Sequence, residues 1–146
     1  MQTMQIHRGY MKIKDKFKSK CFDFVVTNYK KVSSDKIKKP SFALSNSSCH
    51  VNAVAAVSGE RADKVWMVWG GKNNGCVHFI NSISGVFFDE TWAYCEHQSY
   101  YIIRQVMPFE FEDIGDLLDS SKRMLINLNG NLIERFYARR NLHRWI

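Results

Sequence analysis

The chain has no apolar run approaching the ~20 residues that a bilayer-spanning helix needs. Its first residues, Met1 to Arg8, lack the apolar centre of a signal peptide, and a cytosolic protein is expected. There is no CxxC pair, so the four cysteines (Cys21, Cys49, Cys76 and Cys95) are expected to be reduced thiols rather than a redox couple or a zinc knuckle. No RNP, zinc-finger or P-loop pattern occurs, which leaves nucleic acid as a weak candidate partner. Internal repeats and low-complexity tracts are missing as well. What is present is 146 residues with plentiful aromatics, enough for one domain with a real core and against wholesale disorder.

The net charge of +7 is unevenly placed. Up to Pro40 there are eleven Lys/Arg against three Asp, a balance of +8, and the remainder sums to −1. Residues 1–40 therefore form a basic segment and residues 41–146 a nearly neutral one. The basic segment is either a solvated surface or a surface for an acidic protein partner.

From Met11 to Lys20 lysine alternates with other residues, and a period of two predicts an exposed edge strand or extended arm. Cys21 to Val26 is apolar enough to be buried, as a strand or a short helix. Val32 to Pro40 reads as a polar connector. Ser45 to Val57 reads as a polar loop running into an apolar helix, with Ser47 or Ser48 at the N-cap. Lys64–Gly71, Cys76–Asn81 and Val86–Asp89 are β-prone runs separated by turn residues, the pattern of an antiparallel meander. Tyr100–Val106 predicts a further strand. Phe111, Ile114, Leu117 and Leu118 have helical spacing, with acids at the start and Lys122 and Arg123 at the end. Asn129-Gly130-Asn131 between two apolar stretches predicts a hairpin, and the basic tail from Ala138 docks or frays.

One constellation could carry chemistry. Cys49 falls in the first turn of a helix, where unpaired backbone N–H groups and the helix dipole favour a thiolate. His78 lies on a strand and Asp89 ends the next one, so a hairpin makes them neighbours. A carboxylate behind a histidine fixes its tautomer and stabilises its charged form. Nucleophile, base and orienter are thus in order for thiol acyl transfer. The Cys49 N–H supplies one oxyanion donor and Asn46 is a candidate second. His50 points about 100° away from Cys49 around the helix and is a rim or substrate-side candidate. Trp66 and Trp69 fit a sheet core, and Trp66 is also a substrate-side candidate. Cys76 and Cys95 read as structural. A rival use, zinc held by Cys49, His50, Cys95 and His97, matches no common zinc spacing, and no metal or other cofactor is expected.

The runs Cys49-His50-Val51-Asn52-Ala53, Val65 to Gly70, Val77-His78-Phe79 and Gly85 to Trp92 resemble the core of papain-like, transglutaminase-type thiol proteins. The likeness spans Ser45 to Trp92, about a third of the chain. Two features depart from the pattern. Ile80 stands where many members carry an aromatic, and no Gln lies between Gln5 and Gln98 to serve as the upstream oxyanion donor. The resemblance implies an α+β fold with a papain-like core, a Cys-bearing helix packed on an antiparallel β-sheet. It implies Cys49 as nucleophile, His78 as base and Asp89 as orienter, acting on an amide, isopeptide or thioester bond of a protein or peptide-like substrate. The superfamily also has inactive binding members, so the alternative is a non-enzymatic binding or inhibitor protein working through the basic N-terminal surface.

Overall fold

A computed structural model describes residues 2–41, 43–44 and 47–146, with the side chains of residues 2–7 outside that description. Helix α1 spans Gln2–Asn28, and β1 (Lys30–Lys31) follows. Helix α2 is Cys49–Ser58. Strands β2 (Lys64–Gly70), β3 (Cys76–Ile83), β4 (Val86–Phe88) and β5 (Tyr100–Val106) come next. The chain ends in α3 (Ile114–Asn129), α4 (Leu132–Arg140) and α5 (Leu142–Trp145). The protein is thus mixed helix and sheet, with one antiparallel sheet in the order β1-β5-β2-β3-β4. Among the described residues no helix is long and apolar enough to cross a membrane.

The sheet is apolar on both faces, and its strands alternate accordingly. Val65, Met67, Trp69, Val77, Phe79 and Tyr101 point toward the helices, where they meet Phe17, Cys21 and Val25 of α1, Ala53 of α2 and Leu118 and Leu125 of α3. Val68, Ile80 and Tyr100 point the other way, under Val32 and Ile37 of the connector and Cys95. Each fully buried large side chain of this kind contributes about 1.5–3 kcal/mol. The β3–β4 turn is only Ser84-Gly85, both with positive φ (50° and 79°), the twist a two-residue hairpin requires.

Two expectations are corrected. The lysine-alternating stretch is neither an edge strand nor an arm but the middle of α1. Phe17, Cys21 and Val25 are fully buried at helical spacing, with Ile13 packed against the same cluster. That four-residue stripe prevails over the period-two lysines, whose flexible stems leave them at the surface whichever way the backbone runs. The 125–137 hairpin is also absent. Asn129-Gly130-Asn131 joins α3 to α4, with Asn131 as N-cap: its Oδ1 accepts from the Glu134 N–H (2.9 Å) and its N–H donates to Glu134 Oε2 (2.8 Å). Residues 21–26, left open between strand and helix, complete α1. The tail docks, with Trp145 and Ile146 buried and Trp145 packed on Phe17.

Candidate functional site

β4 is three residues long and covers β3 only at Asn81, Ser82 and Ile83, with Ile37 bridging Phe87 on its other side. Among the described residues no strand lies beside the rest of that β3 edge, from Cys76 to Ile80. The N-terminus of α2 fills the gap. Ser48 occupies the N-cap position, its carbonyl accepting from the Asn52 N–H at 2.9 Å. Cys49 opens the helix, and its sulfur is near enough to the Phe79 backbone N–H and the His78 imidazole for both to favour its ionised form. A thiol on the helix side of the sheet thereby reaches a histidine on the opposite face by passing around an unpaired edge. α2 is held there by Asn81, whose buried Nδ2 donates to the Ala53 carbonyl (2.9 Å) and the Lys64 carbonyl (3.2 Å).

Asp89 sits immediately after β4, wholly buried. Its Oδ2 lies 2.7 Å from His78 Nε2 and accepts the Tyr100 hydroxyl at 2.8 Å. Its Oδ1 accepts the backbone N–H groups of Thr91 (2.8 Å) and Trp92 (3.0 Å). One oxygen caps a turn and the other holds the histidine. With Nε2 engaged, Nδ1 is the ring nitrogen left for Cys49. The ring is clamped by Trp92, stacked on it at 4.0 Å between centroids and 11° between planes. The Thr91 hydroxyl accepts from Asn52 Nδ2 at 2.9 Å, tying the Cys49 helix to the Asp89 turn.

Burial opposes a charged His78, but its hydrogen bond to Asp89, its interaction with Cys49 and the negative charges of both outweigh it and raise its pKa to about 10. Burial likewise pushes the Cys49 thiol up. The His78 hydrogen bond, the imidazolium charge and the Phe79 N–H outweigh it, and its pKa falls below the ordinary thiol value. Both shifts favour the same state, a thiolate beside an imidazolium. The other buried thiols have no such neighbour: burial raises Cys21 to about 12 and raises Cys95 as well. All four cysteines are free.

The pair opens on a cleft of about 450 Å³, within the size range of small-ligand sites. His50, Trp92, Lys122 and His143 line it together with Cys49 and His78. The structure therefore brings Cys49, His78, Asp89 and His50 together. It does not bring Trp66, whose indole N–H donates to Ser82 Oγ (2.9 Å) and whose ring packs on Phe87 on the opposite face. Asn46 lies outside the described residues. Cys76, read from the sequence as structural, lines the cleft. Cys95 is buried elsewhere against the Lys38 carbonyl, away from Cys49.

Sequence reasoning missed Tyr100, Asn52, Lys122 and His143. Trp92 lay in the quoted run but without a role. Lys122 had a signal: it follows Ile114 and Leu118 at four-residue spacing, a core position of α3. No family model, no curated protein and no solved structure matches this chain.

Proposed function

We propose that the protein is a thiol-dependent acyl-transfer or hydrolytic enzyme of papain-like type, acting on an amide, isopeptide or thioester bond. The observation that carries this reading is the buried chain Cys49–His78–Asp89, in which both pKa shifts favour the ion pair. A structural cysteine and histidine in a core would be driven to their neutral forms by burial.

The Cys49 thiolate attacks the substrate carbonyl carbon, and the carbonyl π electrons move to oxygen. The Cys49 backbone N–H, unpaired within the helix because it lies in the first turn, is available to that oxyanion. His78 then gives its proton to the leaving nitrogen or sulfur as the carbon–heteroatom bond breaks, which leaves a thioacyl-enzyme. In the second half His78 takes a proton from water or an amine as that nucleophile attacks, and Cys49 departs as the thiolate. Asp89 holds one tautomer throughout, and Tyr100 helps fix the carboxylate.

The test is the rate of iodoacetamide alkylation at each cysteine against pH, read by mass spectrometry. Cys49 is expected to outrun Cys21, Cys76 and Cys95 at neutral pH and below. In His78→Ala the burial of Cys49 is no longer opposed by an imidazolium, and its apparent pKa should climb past the free-thiol ~8.5. Slow alkylation of Cys49, unaffected by His78, would end the catalytic reading and turn attention to binding through the basic surface.

A further inference from the structure

Lys122 is 6% exposed, in the middle of α3, on the face that carries Ile114, Leu118, Leu125 and Ile126. Among the described residues no carboxylate lies within ion-pair distance of it and no acceptor hydrogen-bonds it. Its ammonium is not sealed in, because Lys122 lines the Cys49 cleft and Nζ is not among the buried atoms that lack a partner. The lining residues described include no Asp or Glu. Charges that reach Lys122 are those of Asp119 on its own helix and, when ionised, of Cys76 and Cys49 across the cleft. Next to it, His50 Nδ1 is buried with no hydrogen-bond partner. A buried cation without a counter-charge is costly to the fold, and an anion bound beside it removes that cost.

We propose that Lys122 is the anion-binding residue of the Cys49 cleft and takes a carboxylate that the acyl donor carries close to the bond under attack. The proposal rests on the acyl-transfer reading above. It narrows the substrate class to amides, isopeptides or thioesters with an acidic group near the reacting carbonyl. One unpaired cation suits a single negative charge. A phosphate dianion would need more donors, and the nearest helix N-terminus already serves Cys49. The lowered pKa of Lys122, caused first by burial, agrees with an ammonium awaiting its partner. Lys122 is a specificity residue, since it meets the donor's anionic group rather than the reacting atoms.

The test uses two reagents that attack the same thiolate: anionic iodoacetate and neutral iodoacetamide. Their rate ratio at Cys49 cancels the thiolate fraction and reads the positive potential in the cleft. Lys122→Met should lower the ratio about three- to tenfold at low ionic strength, a change read apart from any shift in the thiolate fraction, which slows both reagents alike. Lys122→Arg should keep the wild-type ratio. A reactive Cys49 with the same ratio in wild type and Lys122→Met overturns the anion site alone. A Cys49 slow toward both reagents in the wild type overturns the acyl-transfer reading, and this proposal with it. Should Lys122→Met not fold, the wild type still decides. Glutaramate, which carries one carboxylate and one amide, should protect Cys49 from iodoacetamide where neutral glutaramide does not, and equal protection by both, protection by neither, or stronger protection by inorganic phosphate overturns the carboxylate site.

Discussion

Asp89 does two jobs with two oxygens, and an amide separates them. Asp89→Asn keeps one acceptor for the Thr91 and Trp92 N–H groups, but its NH₂ cannot accept from His78 or Tyr100. The variant should fold with a loss of about 1–3 kcal/mol in urea unfolding. It should also lose most of the low-pH alkylation of Cys49, because the imidazolium no longer has a counter-charge. The raised pKa of His78 has a stability consequence of definite sign. A group whose pKa is about 10 folded, against 6.5 for free histidine, stabilises the fold fully below pH ~6.5 and loses that contribution as pH rises through its folded value. Cys49 has the opposite sign, its lowered pKa stabilising at alkaline pH, so the two are best separated in a Cys49→Ala background. There the urea midpoint gap between Cys49→Ala and Cys49→Ala/His78→Gln should be widest at pH 6.5 and below and should close by pH 10 at the latest. A gap that widens toward alkaline pH would mean that His78 is buried neutral.

Between β2 and the Asp89–Tyr100 loop the fit depends on one missing side chain. A Cβ at Gly70 would lie 2.7 Å from a ring carbon of Trp92, the indole that clamps His78. Gly70→Ala should therefore cost about 1–3 kcal/mol and slow Cys49 alkylation. Adding Trp92→Ala should recover part of the folding loss but not the alkylation rate, a non-additivity that chemical denaturation of the four variants would measure. Elements of this kind were legible in the sequence to different degrees. β2, β3, β4 and β5 were readable because β-branched and aromatic residues alternate between turn residues, and only the reach of β3 to Ile83 was underestimated. The start of α2 was readable from serines before an apolar run. α1 was not, because every second residue from Lys12 to Lys20 is a lysine and this regular charge hid the stripe of Phe17, Cys21 and Val25 at four-residue spacing. Asn-Gly-Asn serves a helix joint as readily as a hairpin, since asparagine caps helices and glycine ends them. That Cys49, His78 and Asp89 lie together was legible because residue type and chain order suffice to expect it. Tyr100 needed the fold, since nothing local separates a buried tyrosine hydroxyl from its surface counterpart, and Lys122 was marked only by its four-residue spacing from Ile114 and Leu118.

At the scale of the whole molecule the charge is the unbalanced quantity. The first forty residues carry +8 and the rest −1, and Lys12, Lys16, Lys30, Lys31, Lys36, Lys38 and Lys39 are exposed. Within that segment one described lysine, Lys20, pairs with a carboxylate, the buried Glu134 of α4 at 2.8 Å, and Lys18 donates to the Asn74 carbonyl at 3.0 Å. The remaining cations repel one another along α1 and the connector, and at low ionic strength that repulsion opposes folding. Salt should therefore stabilise this protein. The urea midpoint, read with an uncharged denaturant, should rise between 20 mM and 300 mM NaCl by the equivalent of about 1 kcal/mol. Lys12→Gln/Lys16→Gln should raise the midpoint at 20 mM and flatten its dependence on salt. The competing contribution comes from attractive pairs, Lys20–Glu134, Arg61–Glu90 and Arg104–Glu110, which salt weakens. Arg61 and Arg104 are each about a third exposed in these pairs, so screening costs little there. A midpoint that falls with salt would show the pairs to outweigh the repulsion. The lysines of α1 would then be a solvated face held in balance, with no excess charge to offer an acidic partner.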